Sequence, residues 1–263
     1  MIEAAIDAPI PSGAVAARAW RDASHAVACD FDERWEHGRI LRATRYPTYY
    51  DLNFVLVEDA APIAGEEVRA VADRALVDLA HRRVAFDHLE NAEPLRAGFE
   101  AAGWKAMRLL WLRHDRSSIA SLLDMEVAEV GIDDVRELRF AWHHEAGLGG
   151  DGASFAAFLD EAREVAESRG ARVFAALESG EAVGFVQLEQ IGAAGEITQA
   201  FVRGDRRGGG RGGALIAAAI AAARDLEELF ICADDEDRAK LLYERAGFRP
   251  LWRTMQFLLP PPS

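Results

Sequence analysis

The chain echoes itself at a spacing of 144 residues, and no other feature limits its possible folds as much. Gly103-Trp104 falls on Gly247-Phe248 (247 − 103 = 144), and the same offset carries Phe86 onto Phe230 and residues 66–82 onto 210–226. Three elements in register without a gap predict a tandem duplication; the alternative is a chance likeness between two α/β halves. A length of 263 residues suits two domains of ordinary size. The expected domains are 1–118 and 122–263, with Ser117-Ser118 inside a linker over 114–121. Both belong to a mixed α/β (α+β) class.

In the second half, 126–130 reads as a short strand. Val135, Leu138, Trp142 and Ala146 then mark one face of a helix over 133–146. A glycine-rich break at 147–152 precedes a helix over 154–169. Strand-like runs follow at 173–177, 182–188 and 196–202, joined by Ser179-Gly180 and the 192–195 turn. An alanine-rich helix is expected over 214–226, a buried strand at 229–232, a helix over 237–246 stopped by Gly247, and a closing strand at 251–259. The first half repeats the order with a strand at 51–57, a helix over 66–82, a strand at 84–86 and a helix over 94–102.

The chemistry concentrates after Val202, where a strand meets a helix through Arg206-Arg207-Gly208-Gly209-Gly210-Arg211-Gly212-Gly213. The first amides of a helix lack intrahelical partners and its macrodipole is positive there. Glycines let the chain come close to an anion and take conformations other residues avoid. Such a loop suits a pyrophosphate; its alternative is a flexible loop without ligand. A Walker loop needs Lys followed by Ser or Thr where Gly212-Gly213 stand. A dinucleotide fingerprint needs a βαβ unit with parallel strands and its glycines in a different order, whereas the strands before this loop look hairpin-connected.

The run resembles the acyl-CoA motif of the GNAT N-acetyltransferase superfamily, Arg/Gln-x-x-Gly-x-Gly/Ala, at Arg207, Gly210 and Gly212. A second family motif, Asn-x-x-Ala followed by Leu-Tyr-x-x-x-Gly-Phe, is met by Ala239, Leu242-Tyr243 and Gly247-Phe248, with Glu236 in place of the Asn. The resemblance spans roughly 126–259. It implies two tandem GNAT-like domains, each a central, mostly antiparallel sheet flanked by helices. It also implies that acetyl-CoA is a co-substrate, its diphosphate held by amides from Arg207, Gly208, Gly209, Gly210, Arg211, Gly212 and Gly213. Phe201 and Val202 would pair with the pantetheine arm, and Glu236 would stand where an amide usually meets it.

Acetyl transfer needs a neutral amine and a proton for the departing thiolate. By resemblance Tyr243 is the general acid, unless it only packs near the cofactor. Glu196, eleven residues before Arg207 (207 − 196 = 11), is the candidate base, unless it is a plain strand-edge carboxylate. His143 and His144 lie where the family builds its acceptor pocket, and otherwise are surface residues.

At the 144-residue offset the first half has Ile63 for Arg207, Ala64 for Gly208, Glu66 for Gly210, Val68 for Gly212 and Phe99 for Tyr243. Glu58, Asp59, Glu66 and Glu67 would repel a diphosphate. This copy is expected to lack the cofactor loop and to serve as scaffold.

The net charge of −14 disfavours broad nucleic-acid binding and tilts the acceptor toward cationic amines. Cys29 and Cys232, the only cysteines, fit neither a disulfide framework nor a metal site, so no metal is expected. No signal or membrane-spanning run is visible, and a cytoplasmic location is expected. Together these readings predict an N-acetyltransferase moving an acetyl group to a primary amine of a small molecule or peptide, by direct attack in a ternary complex. A non-catalytic acyl-CoA sensor is the alternative. Monomer and homodimer both stay open.

Overall fold

The computed structural model describes residues 13–116, 125–145 and 152–261. Ser117, Ser118 and the break at 147–151 lie outside the described residues. The chain divides into two units: residues 1–111, 234–236 and 251–263 form the first, and 112–233 with 237–250 the second.

In the first unit, α1 (Ala14–Ala28) and the hairpin β1 (Phe31–Trp35) and β2 (Gly38–Arg42) occupy sequence in which no element is expected. β1 carries Asp32, Glu33 and Arg34 and is exposed along most of its length, so it lacks the alternation that marks a half-buried strand. Next come β3 (Phe54–Val57), α2 (Gly65–Ala75), β4 (Arg82–Phe86), α3 (Leu89–Ala92), α4 (Arg96–Ala101) and β5 (Lys105–His114). α2 ends seven residues before the expected Arg82 (82 − 75 = 7): Leu76 leaves helical geometry (φ −116°, ψ 24°) and a turn from Leu79 N–H to Leu76 O follows.

The second unit runs β6 (Val127–Val130), α5 (Arg136–Glu145), α6 (Gly152–Ser168), β7 (Arg172–Glu178), β8 (Glu181–Ile191), β9 (Ala194–Val202), α7 (Arg211–Ala222), β10 (Glu228–Asp234) and α8 (Lys240–Arg245). β6 to β9 are successive antiparallel neighbours, and β10 joins β9 in parallel. The mixed, largely antiparallel α/β class is as expected. α7 lies on β7, β8 and β9 with Leu215, Ile216 and Ala219 fully covered, which its run of small alanines permits. On the α5 side, Val135 and Leu138 pack with Val173, Ala175, Phe185 and Phe201.

The last strand, β11 (Phe248–Leu259), departs from the expected domain plan. From Leu251 onward it belongs to the first unit, where it pairs antiparallel with β4 (Met255 opposite Phe86). The reason is aromatic packing. Phe257 stacks on Phe99 at 4.0 Å between ring centres and meets Phe86 edge-on at 5.8 Å, and Trp252 Nε1 donates to Asp87 O at 2.9 Å. The first unit therefore orders its sheet β1-β2-β3-β4-β11-β5. Among the described residues no helix is long and apolar enough to cross a membrane.

Candidate active site

Two parallel strands that part company define the site. β10 pairs with β9 only at Glu228–Ala194, Leu229–Gly195 and Phe230–Glu196. Beyond Glu196, β9 continues to Val202 without β10, so among the described residues the edge that faced β10 has backbone groups with no partner strand. Unpaired strand edges are templates for another extended chain. Within this free stretch β9 bulges: Phe185 faces Phe201 but Gln187 faces Thr198, which sets Gln199 and Ala200 against Val186 alone. Gln199 takes a left-handed φ of 48°, a conformation that costs an L-residue about 1–2 kcal/mol. Phe201 and Val202, expected to lie along the pantetheine, end this edge.

The loop that follows has the geometry expected of an anion cradle. Gly208, Gly209 and Gly210 have φ of 88°, 59° and 84°, so a side chain at any of them would be strained. The first i→i−4 bond into α7 runs from Ala214 N–H to Gly210 O at 3.0 Å, leaving the amides of Arg211, Gly212 and Gly213 ahead of it. Gly212 lies close under α8: a Cβ there would lie 3.1 Å from Leu242 Cδ2, a tight contact. This contact sets the helix of Tyr243 against the head of α7.

The loop arginines are not idle. Arg207 donates from Nε to Val202 O (3.1 Å) and pairs with Glu145; Arg211 pairs with Glu178 and donates to Gly208 O (3.1 Å). Arg206 also reaches Glu178, at 3.2 Å. These partners, most of them distant in sequence, engage the arginine side chains. Glu145 also brings the end of α5, with His143 and His144, to the loop. His143 sits among Trp142, Phe155 and Phe158, with ring centres 4.6, 5.6 and 4.7 Å away, and His144 stacks on Phe140 at 6.4 Å.

Tyr243 is buried, and desolvation followed by the nearby Asp237 charge pushes its phenol up to about 12. The phenol is protonated at neutral pH. Glu196 is half-buried at the last position where β9 and β10 are paired, beside Glu189 across β8. Glu236 does not join this group. It belongs to the first unit, where Arg96 grips its carboxylate at 2.7 and 3.0 Å and holds it below the ordinary glutamate range. Where the motif has Asn, Glu236 is held in an ion pair.

A polar chain that the sequence does not announce lies under the bulge. Arg139 on α5 donates from Nη2 to Gln187 Oε1 at 2.7 Å and from Nη1 to Gln199 Oε1, with its guanidinium 4.9 Å from the Phe185 ring centre. Gln187 Nε2 donates to Glu189 Oε1 (2.7 Å), and Arg169 Nη1 donates to Glu189 Oε2 (3.2 Å). Apart from Gln199 all of these residues are buried.

The equivalent place in the first unit is differently furnished. The residue before α2, Ala64, is extended, the first turn carries Glu66 and Glu67, and Val68 is fully buried. His37 is drawn in beside them, Nδ1 at 2.9 Å from Asp59 and Nε2 at 3.8 Å from Glu67. Phe99 is fully buried, with Trp104 edge-on at 5.1 Å.

Residues 133–248 match the model of the Acetyltransferase (GNAT) family. No curated protein matches the chain. Among solved structures, a conserved protein of unknown function from Staphylococcus epidermidis superposes with a TM-score of 0.64 at 14% identity, over 86% of this chain and 92% of that one. A protein assigned to the GNAT family from Novosphingobium aromaticivorans gives 0.52 at 17% identity, over 88% and 92%. A GCN5-related N-acetyltransferase from Sphaerobacter thermophilus gives 0.50 at 18%, over 74% and 67%. At these identities the likeness is one of fold.

Proposed function

We propose that this chain, whose residues 133–248 match the GNAT family model, transfers the acetyl group of acetyl-CoA to a primary amine, with the second unit as the working domain. The observation that carries this reading is the parting of β9 from β10 beside a helix head opened by three left-handed glycines. One feature offers a free strand edge for an extended amide-bearing arm, and the other offers convergent N–H groups for its diphosphate.

In this reading the amides at 208–213 hold the diphosphate and the β9 edge between Thr198 and Val202 aligns the pantetheine. The amine attacks the thioester carbonyl directly; a C–N bond forms and the C–S bond breaks. Glu196 takes the proton lost by the amine, through water, from its place where the strands diverge. Tyr243 gives its proton, or a hydrogen bond, to the departing sulfur. The products are an amide and free CoA thiol, with no covalent enzyme intermediate. The acceptor is a small-molecule or peptide amine, and the acid excess favours cationic ones. His143 and His144, at the end of α5 beside Glu145, would face it. The first unit, with Glu66, Glu67 and Val68 where the second has Gly210, Arg211 and Gly212, is the copy without a cofactor loop, and the pair arose by tandem duplication.

The test is continuous thiol release from acetyl-CoA with a panel of polyamines, aminoglycosides, amino acids and peptide N-termini. Amine-dependent release that falls in Tyr243→Phe supports the enzyme. Tight CoA binding with no release on any amine supports the sensor instead. Calorimetry showing no heat with acetyl-CoA or CoA sinks both.

A further inference from the structure

Gln199 is one of two non-glycine residues with a left-handed φ among the described residues. The other, Ser179, sits in the β7–β8 turn, where such a φ is commonplace. Gln199 is instead in mid-strand, at the bulge, on the stretch of β9 that β10 has left. Something must hold it there against relaxation to ordinary pairing, and the side chains packed around it show what does.

Arg139 is 5% exposed and Gln187 is 0% exposed. The two terminal nitrogens of one guanidinium divide between Gln187 Oε1 on β8 and Gln199 Oε1 on β9. The fork is planar and rigid, so fixing one arm fixes the other. Gln187 is itself fixed, because its amide donates to Glu189, which Arg169 holds from the end of α6. The ring of Phe185 supports the guanidinium from the side. The result is a buried strut from α6 through β8 to the bulge, with every link a donor–acceptor pair.

We infer that Arg139 is a positioning residue: by clamping Gln199 to Gln187 it keeps the β9 bulge in place and so aims the free peptide groups of 199–201 at the acyl end of the bound thioester. This rests on the acetyl-transfer reading above. It differs from that reading in assigning the alignment of the reacting end to a side-chain clamp remote from the diphosphate loop. The clamp should therefore govern turnover more than grip, since the amides at 208–213 are untouched by it.

The experiment pairs steady-state kinetics with amide hydrogen exchange on the full chain. Arg139→Met and Gln199→Ala are each expected to lower kcat about ten-fold or more while leaving the acetyl-CoA Kd within about two-fold. The double variant should be no worse than the poorer single, because both remove one interaction. Gln199→Glu keeps an acceptor for Arg139 and should restore most of kcat. In the same variants the β8-facing amides of 198–203 should exchange at least about ten-fold faster, with those of α7 unchanged. Unchanged exchange at 198–203 in folded Gln199→Ala overturns the clamp, whether or not the protein turns over. So does unchanged kcat in a chain that is active. Absence of all turnover in the wild type, with exchange responding as expected, removes the acetyl-transfer reading and leaves the clamp standing.

Discussion

Each unit contains a parallel strand pair connected through a helix, and the two pairs end differently. In the first unit β3 and β4 stay together to the tip: Val57 faces Phe86, and Asp87 N–H donates to Val57 O at 3.0 Å. In the second, Phe230, the counterpart of Phe86, faces Glu196. The counterpart of Val57 is Phe201 (57 + 144 = 201), so β9 leaves its neighbour five residues sooner (201 − 196 = 5). The closed pair is built of Phe54, Val55, Leu56 and Val57, all buried. The open one carries the Gln199 bulge and ends beside glycines. The contrast between the open and the closed pair is thus confined to a handful of residues at the strand tip and helix head.

Giving the open pair the closed pair's residues should break that contrast. Gly210→Glu, which copies Glu66, puts a side chain at φ 84° and a negative charge at the helix head. Strain and repulsion together should weaken acetyl-CoA binding roughly 10²- to 10³-fold by calorimetry. Binding at wild-type strength in a folded variant would mean the loop is not the anion site. Tyr243→Phe, which copies Phe99, should cut kcat about 10²-fold and leave the acetyl-CoA Kd within about two-fold. An unchanged kcat removes Tyr243 from the chemistry.

Protonation sharpens the contrast from the other side. In the first unit His81 is buried against Tyr50, and desolvation lowers it to about 4. A folded-state pKa below the unfolded value of 6.5 means that its stabilising share is whole above pH 6.5 and is lost as pH falls through 4. The loss is on the order of 2–3 kcal/mol, so urea unfolding at pH 7 and pH 4 should differ by about that much less in His81→Gln. An equal difference would show that His81 is not a source of the acid lability. Tyr243, shifted upward, acts at the opposite end: its share is whole below pH 10 and lost as pH rises through 12. The smallest effect concerns charge at the loop. Glu178→Gln releases Arg206 and Arg211 and should tighten acetyl-CoA about two- to five-fold, and weaker binding would show that Glu178 shapes the loop rather than competing for its cations.

The sequence was most readable where conformation is decided by one or two neighbouring residues. Gly103 and Gly247 both adopt left-handed φ, 85° and 97°, after a short helix, as glycine at that place requires. Gly208 to Gly210 announced the loop for the same local reason. Other features depend on contacts far apart in sequence. Nothing in Leu251–Leu259 says which sheet it will join, because period-two alternation fixes a strand's faces and not its neighbour. Asp32, Glu33 and Arg34 conceal an edge strand. Glu145 and Glu178 become partners of loop arginines only once α5 and β7 are in place. Arg139, Gln187 and Glu189 resemble solvent-facing residues until folding buries them together, and Gln199 has no glycine to betray its bulge.

The assignment of residues 251–259 to the first unit bears on how the protein is made. On the ribosome the stretch that supplies Trp252, Met255 and Phe257 emerges after everything in the second unit. Phe86 and Phe99 must therefore wait for their aromatic neighbour through most of synthesis. Cutting the chain between its two halves would deprive the leading half of a strand from its own sheet, so dissection of this protein by simple truncation should yield an N-terminal fragment prone to aggregation.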